Sequence, residues 1–216
     1  MNNTTEHTKY FNSNGIEVPS CTNIVKLLGK DELVGWANYL GFKRIDVKKL
    51  LAEKALYGTN CHDVAEQYLT GMIQRCVPSD LNLSQYEYTD LIHKLEYISQ
   101  KFSEMGIRII NTEMQMHGER FGGTLDLLTW KPSSDKVILF DYKTSKAVYD
   151  SHLIQLGGYC KLLEELYDIS VTDIGVILLS KQPSDKNFFN VIPRESNSKN
   201  EEIFDKLLDI YWIKHG

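Results

Sequence analysis

The residues with the clearest chemical potential are Asp141 and Lys143, which close the apolar run Val137-Ile138-Leu139-Phe140. Side chains on a strand alternate between faces, so these two point one way and Tyr142 the other. Charges set where the pattern predicts burial cost on the order of several kcal/mol unless something compensates. A second acid, Asp126, interrupts the preceding apolar stretch from Leu125 to Trp130, and the turn-rich segment Lys131-Pro132-Ser133-Ser134-Asp135-Lys136 separates the two runs. A turn centred between Ser133 and Ser134 pairs Trp130 with Val137, Leu128 with Leu139 and Asp126 with Asp141. Opposed Cβ atoms lie roughly 4.5–5.5 Å apart. Two carboxylates that close share a proton or a cation. Magnesium suits them, because it is held by one or two carboxylates together with waters and phosphate oxygens. The plainer alternative is a surface hairpin carrying a weak exposed ion pair. Apolar residues on both faces of both strands argue against it.

The segment Ile107 to Met116 reads as a further strand, joined by the turn His117-Gly118-Glu119-Arg120 to Phe121-Gly122-Gly123-Thr124-Leu125-Asp126. Reflection about that turn sets Glu113 opposite Thr124, and Thr124 opposite Lys143. A bulge at Gly122-Gly123 would shift this register by one. Upstream, Asn60 reads as an N-cap with Asp63 three residues on. His62, Ala65, Glu66, Leu69 and Ile73 then fall on one helical stripe, so His62 and Glu66 share an inward face. Such a histidine is either a metal ligand or a satisfied core residue.

These residues, in this order, resemble a known family. Gly58-Thr59-Asn60-Cys61-His62 with Glu66, Glu113, Gly122-Gly123-Thr124-Leu125-Asp126, Asp141-Tyr142-Lys143-Thr144, and Gln155 with Tyr159 are similar to the RecB-type branch of the PD-(D/E)XK nuclease superfamily. Val18-Pro19-Ser20-Cys21-Thr22-Asn23-Ile24-Val25 looks like the segment opening the mitochondrial genome maintenance exonucleases and their small phage relatives. The resemblance runs from about residue 16 to about 195. It implies a restriction-endonuclease-like α/β (α+β) core: a central mixed sheet with antiparallel catalytic hairpins, flanked by helices.

By that resemblance Asp126 and Asp141 are the metal carboxylates and Lys143 the catalytic lysine. His62 and the backbone carbonyl of Tyr142 would complete the ligand shell, and Glu113 is an outer or second-metal ligand. Gln155 and Tyr159 match a helix that contacts DNA, and Glu66 is a supporting residue. The implied activity is Mg²⁺- or Mn²⁺-dependent hydrolysis of DNA phosphodiesters, foremost as an exonuclease at DNA ends in recombination, repair or genome processing. A site- or structure-specific endonuclease and a non-catalytic DNA-binding protein on the same fold are the alternatives.

Elements must position these groups. The chain of 216 residues suits one nuclease domain, with a mostly helical portion over about 1–105 and a catalytic sheet core over about 106–195. The pattern predicts a hairpin from Tyr10 to Val18 turning at Asn14-Gly15, and helices near 22–40, 44–56, 60–75 and 84–105. The last of these carries the stripe Tyr88, Leu91, Ile92, Leu95, Ile98, Phe102. Beyond the three strands come a helix capped by Asp150 or Ser151, a buried strand from Asp173 to Ser180 with a hairpin partner from Phe188 to Ile192, and a final helix with Ile203, Leu207, Leu208 and Tyr211. Gly157-Gly158 inside the Gln155 helix suggests close approach by a DNA backbone or a neighbouring strand.

Composition narrows the rest. No apolar stretch of about 18 residues exists, so no membrane partner is expected. Met1 to Thr8 has neither signal-peptide nor transit-peptide form. With Cys21, Cys61, Cys76 and Cys160 scattered, it predicts a cytoplasmic protein, phage-encoded in a bacterial host on the family analogy, without an iron–sulfur cluster. No Walker motif appears, so there is no nucleotide cofactor and any unwinding falls to a helicase or recombination partner. The net charge of −5 leaves DNA affinity to local potential. The basic segment Phe42 to Lys54, with Lys43, Arg44, Lys48 and Lys49, could track a DNA backbone, with Trp36, Tyr142 or Tyr149 stacking on bases.

Overall fold

The computed structural model describes residues 8–29, 31–71, 83–181 and 188–216, and the side chains at 31–34 and 36 lie outside that description. So do Ile73, Cys76 and the stacking role given to Trp36. The chain opens on the expected hairpin, β1 (Tyr10–Phe11) against β2 (Glu17–Val18), whose turn uses Gly15 at a φ of 74°. Ser20 then caps α1 (Cys21–Val25), its hydroxyl accepting from the Asn23 N–H.

After α2 (Asp31–Phe42), the two helices expected over 44–56 and from Asn60 are one, α3 (Val47–Leu69). Its cap is Asp46, whose carboxylate accepts the N–H groups of Lys48 and Lys49 at 2.9 and 3.1 Å. Asn60 is a buried mid-helix residue and caps nothing at an N-terminus. The interior Gly58 costs roughly 1 kcal/mol against alanine. Burial of Cys61, Val64 and Ala65 just beyond it offsets that and carries the helix through. By contrast, α4 (Gln85–Met105) has the expected bounds. Ser84 and Glu87 form a reciprocal capping box at its start, left-handed Gly106 ends it, and Leu91, Leu95, Ile98 and Phe102 form its buried face.

A five-stranded mixed sheet lies at the centre, in the spatial order β3 (Arg108–His117), β4 (Gly122–Lys131), β5 (Lys136–Lys143), β6 (Asp173–Leu178), β7 (Phe189–Pro193). All neighbours are antiparallel except β5 and β6, which run parallel with α5 (Asp150–Tyr167) between them in sequence. Parallel strands need a crossover of this kind. Trp130 faces Val137 and Leu128 faces Leu139, as the turn chemistry of the loop predicts. The β3–β4 register differs from the expected one by two residues, with Gln115 rather than Glu113 opposite Thr124. A two-residue slip keeps every side chain on its face, which is why the face assignment survives the error. Gly122 and Gly123 pair regularly, and the irregularity falls between Ile109 and Asn111.

Helices cover both faces. Leu125, Leu128, Leu139, Ile174 and Val176 pack with α1, α5 and α6 (Ser198–His215). Leu127, Ile138, Phe140, Tyr142 and Ile177 pack with α3 and α4. The glycines of α5 serve this helical packing. A Cβ on Gly158 would stand 2.6 Å from Cys21 Sγ and from the Phe204 ring, and one on Gly157 would meet Glu201. The close neighbours are thus α1 and α6, not DNA or a strand. The helix start also differs: Tyr149 is the N-cap, with its N–H donated to His152 Nδ1, rather than Asp150 or Ser151.

Two outcomes check this account. Gly158→Ala is expected to destabilise the protein by about 1–3 kcal/mol in urea unfolding, because overpacking outweighs the gain in helix propensity. Ser84→Ala is expected to cost about 1 kcal/mol in the same measurement through loss of the α4 cap.

Candidate active site

The strand ends deliver three carboxylates side by side. Glu113 lies between the pairs Thr112–Leu127 and Met114–Leu125, which sets it beside Asp126 on β4. Asp126 and Asp141 follow the last pair of the β4–β5 ladder, Leu127 with Phe140. Both aspartates are buried, at 7% and 1% exposure. Glu113 is held at a left-handed φ of 46° inside a strand. For a residue with a side chain such a posture costs of order 1–3 kcal/mol and persists only where the surroundings impose it.

Two cations answer these charges from opposite sides. From α3, His62 brings Nδ1 to 3.3 Å from Asp126 Oδ1 and 3.9 Å from Glu113 Oε1. From β5, the Lys143 ammonium is in ion-pair contact with Asp141 Oδ2. Asp126 also accepts the Tyr142 N–H through Oδ2 at 2.5 Å, which ties the carboxylate to the β5 backbone. Glu66 Oε1, one helical turn past His62, accepts from Thr112 Oγ1 at 3.3 Å and so joins α3 to β3 beside Glu113.

Charge states follow from this geometry. Burial works to lower the His62 pKa, but Asp126 and Glu113 outweigh it and lift it to about 10. The imidazole is therefore cationic while it faces bare carboxylates, and it must release a proton to become a ligand. Burial works to raise Asp126, but His62, Lys143 and the Tyr142 N–H hold it below the ordinary carboxylate range. Burial and the nearby Asp126 push Asp141 up, against the pull of Lys143. Lys143, although desolvated, is raised by Asp141 and Asp126 and stays charged.

The donor set fits a divalent cation. His62, Glu113 and Asp126 each offer an atom, all within 4.8 Å of one another. Glu113 Oε1 is buried and accepts no hydrogen bond. A bound cation would satisfy such acceptors, and one imidazole with carboxylates is a donor set that Mn²⁺ accepts readily.

A cleft of about 850 Å³ opens over these groups, lined also by Tyr10, Ser20, Thr22, Thr59, His152, Gln155 and Tyr159. Gln155 Nε2 donates to Tyr159 Oη at 2.7 Å and to Thr22 Oγ1 at 3.3 Å, so the expected pair is a polar seam between α5 and α1. Tyr10 reaches in from the hairpin, its hydroxyl 2.8 Å from Thr124 Oγ1. Sequence reasoning missed Tyr10, although Gly122-Gly123 carried the signal. A Cβ at Gly122 would lie 2.5 Å from Tyr10, and one at Gly123 2.6 Å from the Tyr159 ring.

The other expected contacts are elsewhere. The Tyr142 side chain is fully buried against α3 and α4 and cannot stack on a base. Tyr149 is half exposed and packs edge-on to His152 at the cleft rim. Lys43, Arg44, Lys48 and Lys49 are exposed but line no part of the cleft. Lys48 lies roughly 20 Å along α3 from His62, at ~1.5 Å per residue. Cys21, Cys61 and Cys160 are free and buried.

No protein-family model matches the chain, and no curated protein does. Among solved structures it is similar to the crystal structure of SSO0001 at 15% identity and a TM-score of 0.30, over 70% of this chain and 73% of that one. No helix among the described residues is long and apolar enough to cross a membrane.

Proposed function

We propose that this chain is a metal-dependent deoxyribonuclease with a restriction-endonuclease-like core of the RecB type, acting on DNA ends as an exonuclease. The observation that carries the reading is the convergence of Asp126, Asp141, Lys143, Glu113 and His62, drawn from three strands and a helix, in one polar cleft. An ion-pair network that served stability alone would not leave a buried carboxylate oxygen, Glu113 Oε1, without a hydrogen-bond partner in an open cleft.

Hydrolysis of a phosphodiester needs a water in line with the leaving oxygen and positive charge where the phosphoryl oxygens gain negative charge. A divalent cation on His62, Glu113, Asp126 and Asp141 would supply part of that charge and make a nearby water more acidic. Lys143 supplies the rest. Its raised pKa makes it a fixed cation and a poor proton acceptor, so its part is electrostatic. Asp141 holds the ammonium at the strand end, facing the cleft. Gln155, Thr22 and Ser20 line the cleft beside it and offer neutral hydrogen-bonding groups to the DNA backbone. The basic residues Lys43 and Arg44 after α2, with Lys48 and Lys49 at the start of α3, would hold the strand beyond the cleft, making binding sensitive to salt.

The purified protein with Mn²⁺ or Mg²⁺ is expected to degrade linear DNA and to leave closed circles intact. Chelation by EDTA should stop the reaction and excess Mn²⁺ should restore it. Asp141→Asn and Lys143→Ala are each expected to lower the rate by roughly 100-fold or more. Cleavage of closed circles would identify an endonuclease instead. If no DNA is degraded by the wild-type protein, or Asp141→Asn matches it, the enzymatic reading fails.

A further inference from the structure

We infer that Lys94, a buried lysine in the middle of α4 that lines no part of the cleft, is a positioning residue for Lys143. It fastens the end of β6, and the end of β6 fastens the strand end that carries the Lys143 ammonium. Its bearing on catalysis rests on the reading of the cleft as a phosphodiesterase. The fastening itself does not, so the two can fail separately.

Lys94 shares the buried stripe of α4 with Leu91, Leu95 and Ile98 and is only 3% exposed. An ammonium in that place carries a heavy desolvation cost, and an apolar side chain of the same length would fill the stripe without it. Stability alone therefore gives no reason for a lysine here. What the ammonium reaches gives one. It pairs with Asp90 one helical turn earlier and donates to the Ser180 carbonyl oxygen at 2.6 Å.

Ser180 lies two residues beyond the end of β6, in a segment bound from several sides. The Leu179 N–H donates to the Lys143 carbonyl oxygen at 2.7 Å, and Tyr57 Oη of α3 donates to the Leu179 carbonyl at 3.4 Å. Lys181 lies over the Tyr57 ring and pairs with Glu87 at 2.6 Å. The Lys143 end of β5 depends on this segment. Its ladder with β4 stops at the pair Leu127–Phe140, and beyond it β4 offers the Asp126 carboxylate, which accepts the Tyr142 N–H. Asp141, Tyr142 and Lys143 take their strand partners from β6, at Val176, Ile177 and Leu178, and the Leu179 N–H closes that ladder on Lys143 itself. Among the side chains that hold the segment, Lys94 makes the buried, charge-assisted bond, and low dielectric strengthens it. The Lys181–Glu87 pair is at the surface, where solvent weakens it. A strand end that shifts carries the ammonium with it, and a misplacement of about 1 Å can cost on the order of 100-fold in rate.

Amide exchange followed by NMR on the full chain, without metal or DNA, tests the fastening. Steady-state kinetics on linear DNA with Mn²⁺ test its consequence. Lys94→Met removes the ammonium and keeps the length of the side chain. The double variant Asp90→Asn with Lys94→Met also neutralises the carboxylate that the single change leaves unpaired. In both, the Leu179 N–H should exchange roughly tenfold or more faster than in the wild type. The Leu178 N–H donates to the Phe188 carbonyl on the β7 side and should stay within about threefold. At a temperature well below unfolding, kcat should fall roughly tenfold or more while KM stays within about twofold. The assignment is overturned if Leu179 keeps its wild-type exchange, if Leu178 and Leu179 accelerate together, or if kcat holds while Leu179 loses protection. A wild-type protein that degrades no DNA refutes the reading of the cleft, and the exchange of Leu179 then decides the fastening alone.

Discussion

Three acidic side chains, Glu113, Asp126 and Asp141, occupy neighbouring positions on three adjacent strands, and the rest of the structure is arranged around that fact. Like charges opposed across a sheet destabilise it, and burial of two of the three sharpens the repulsion. The fold answers with one cation from each side, His62 from α3 and Lys143 from the end of β5 itself. Neither can be withdrawn without leaving a buried charge uncompensated. The site is therefore electrostatically tense: each carboxylate is held by a cationic side chain that a stronger cation could displace.

This tension explains the packing that surrounds it. His62 is useful only if α3 is rigid at that level, and α3 becomes buried from Asn60 onward, where Cys61, Val64 and Ala65 enter the core. The first half of the same helix stays largely exposed and carries the basic residues. A single helix thus has an anchored end that builds the site and a solvated end that bears positive charge. On the other side of the sheet, α5 is drawn against α1 and α6 by Gly157 and Gly158, and that contact brings Gln155 and Tyr159 to the cleft wall. In β4, Gly122 admits the ring of Tyr10 from β1 and Gly123 the ring of Tyr159 from α5.

Much of this was readable without coordinates where the determinants were local. The even-length loop centred on Ser133 and Ser134 gave the β4–β5 register, and with it the proximity of Asp126 and Asp141. The apolar stripe of α4 gave its span and its buried face. Errors arose where a local signal met a tertiary one. Asn60 has the chemistry of a cap, but packing beyond it runs the helix straight through. Gly157-Gly158 advertised close approach, yet nothing within α5 could say that the approaching groups are Cys21, Glu201 and Phe204. Tyr142 reads as an available ring in a charged motif, whereas strand alternation turns it into the core.

The identity of the charged groups, their strand alternation and their meeting across one hairpin are consequences of residue type and a period of two, which any reader of the chain can count. Which oxygen faces which cation is a different kind of fact. It depends on α3 crossing the sheet beside β3, on Lys143 folding back to its own strand neighbour Asp141, and on a left-handed backbone at Glu113. Each of these balances contacts between segments far apart in sequence, and no local pattern encodes that balance. The chain alone therefore named the carboxylates; only the packed structure divided them between an imidazole and an ammonium.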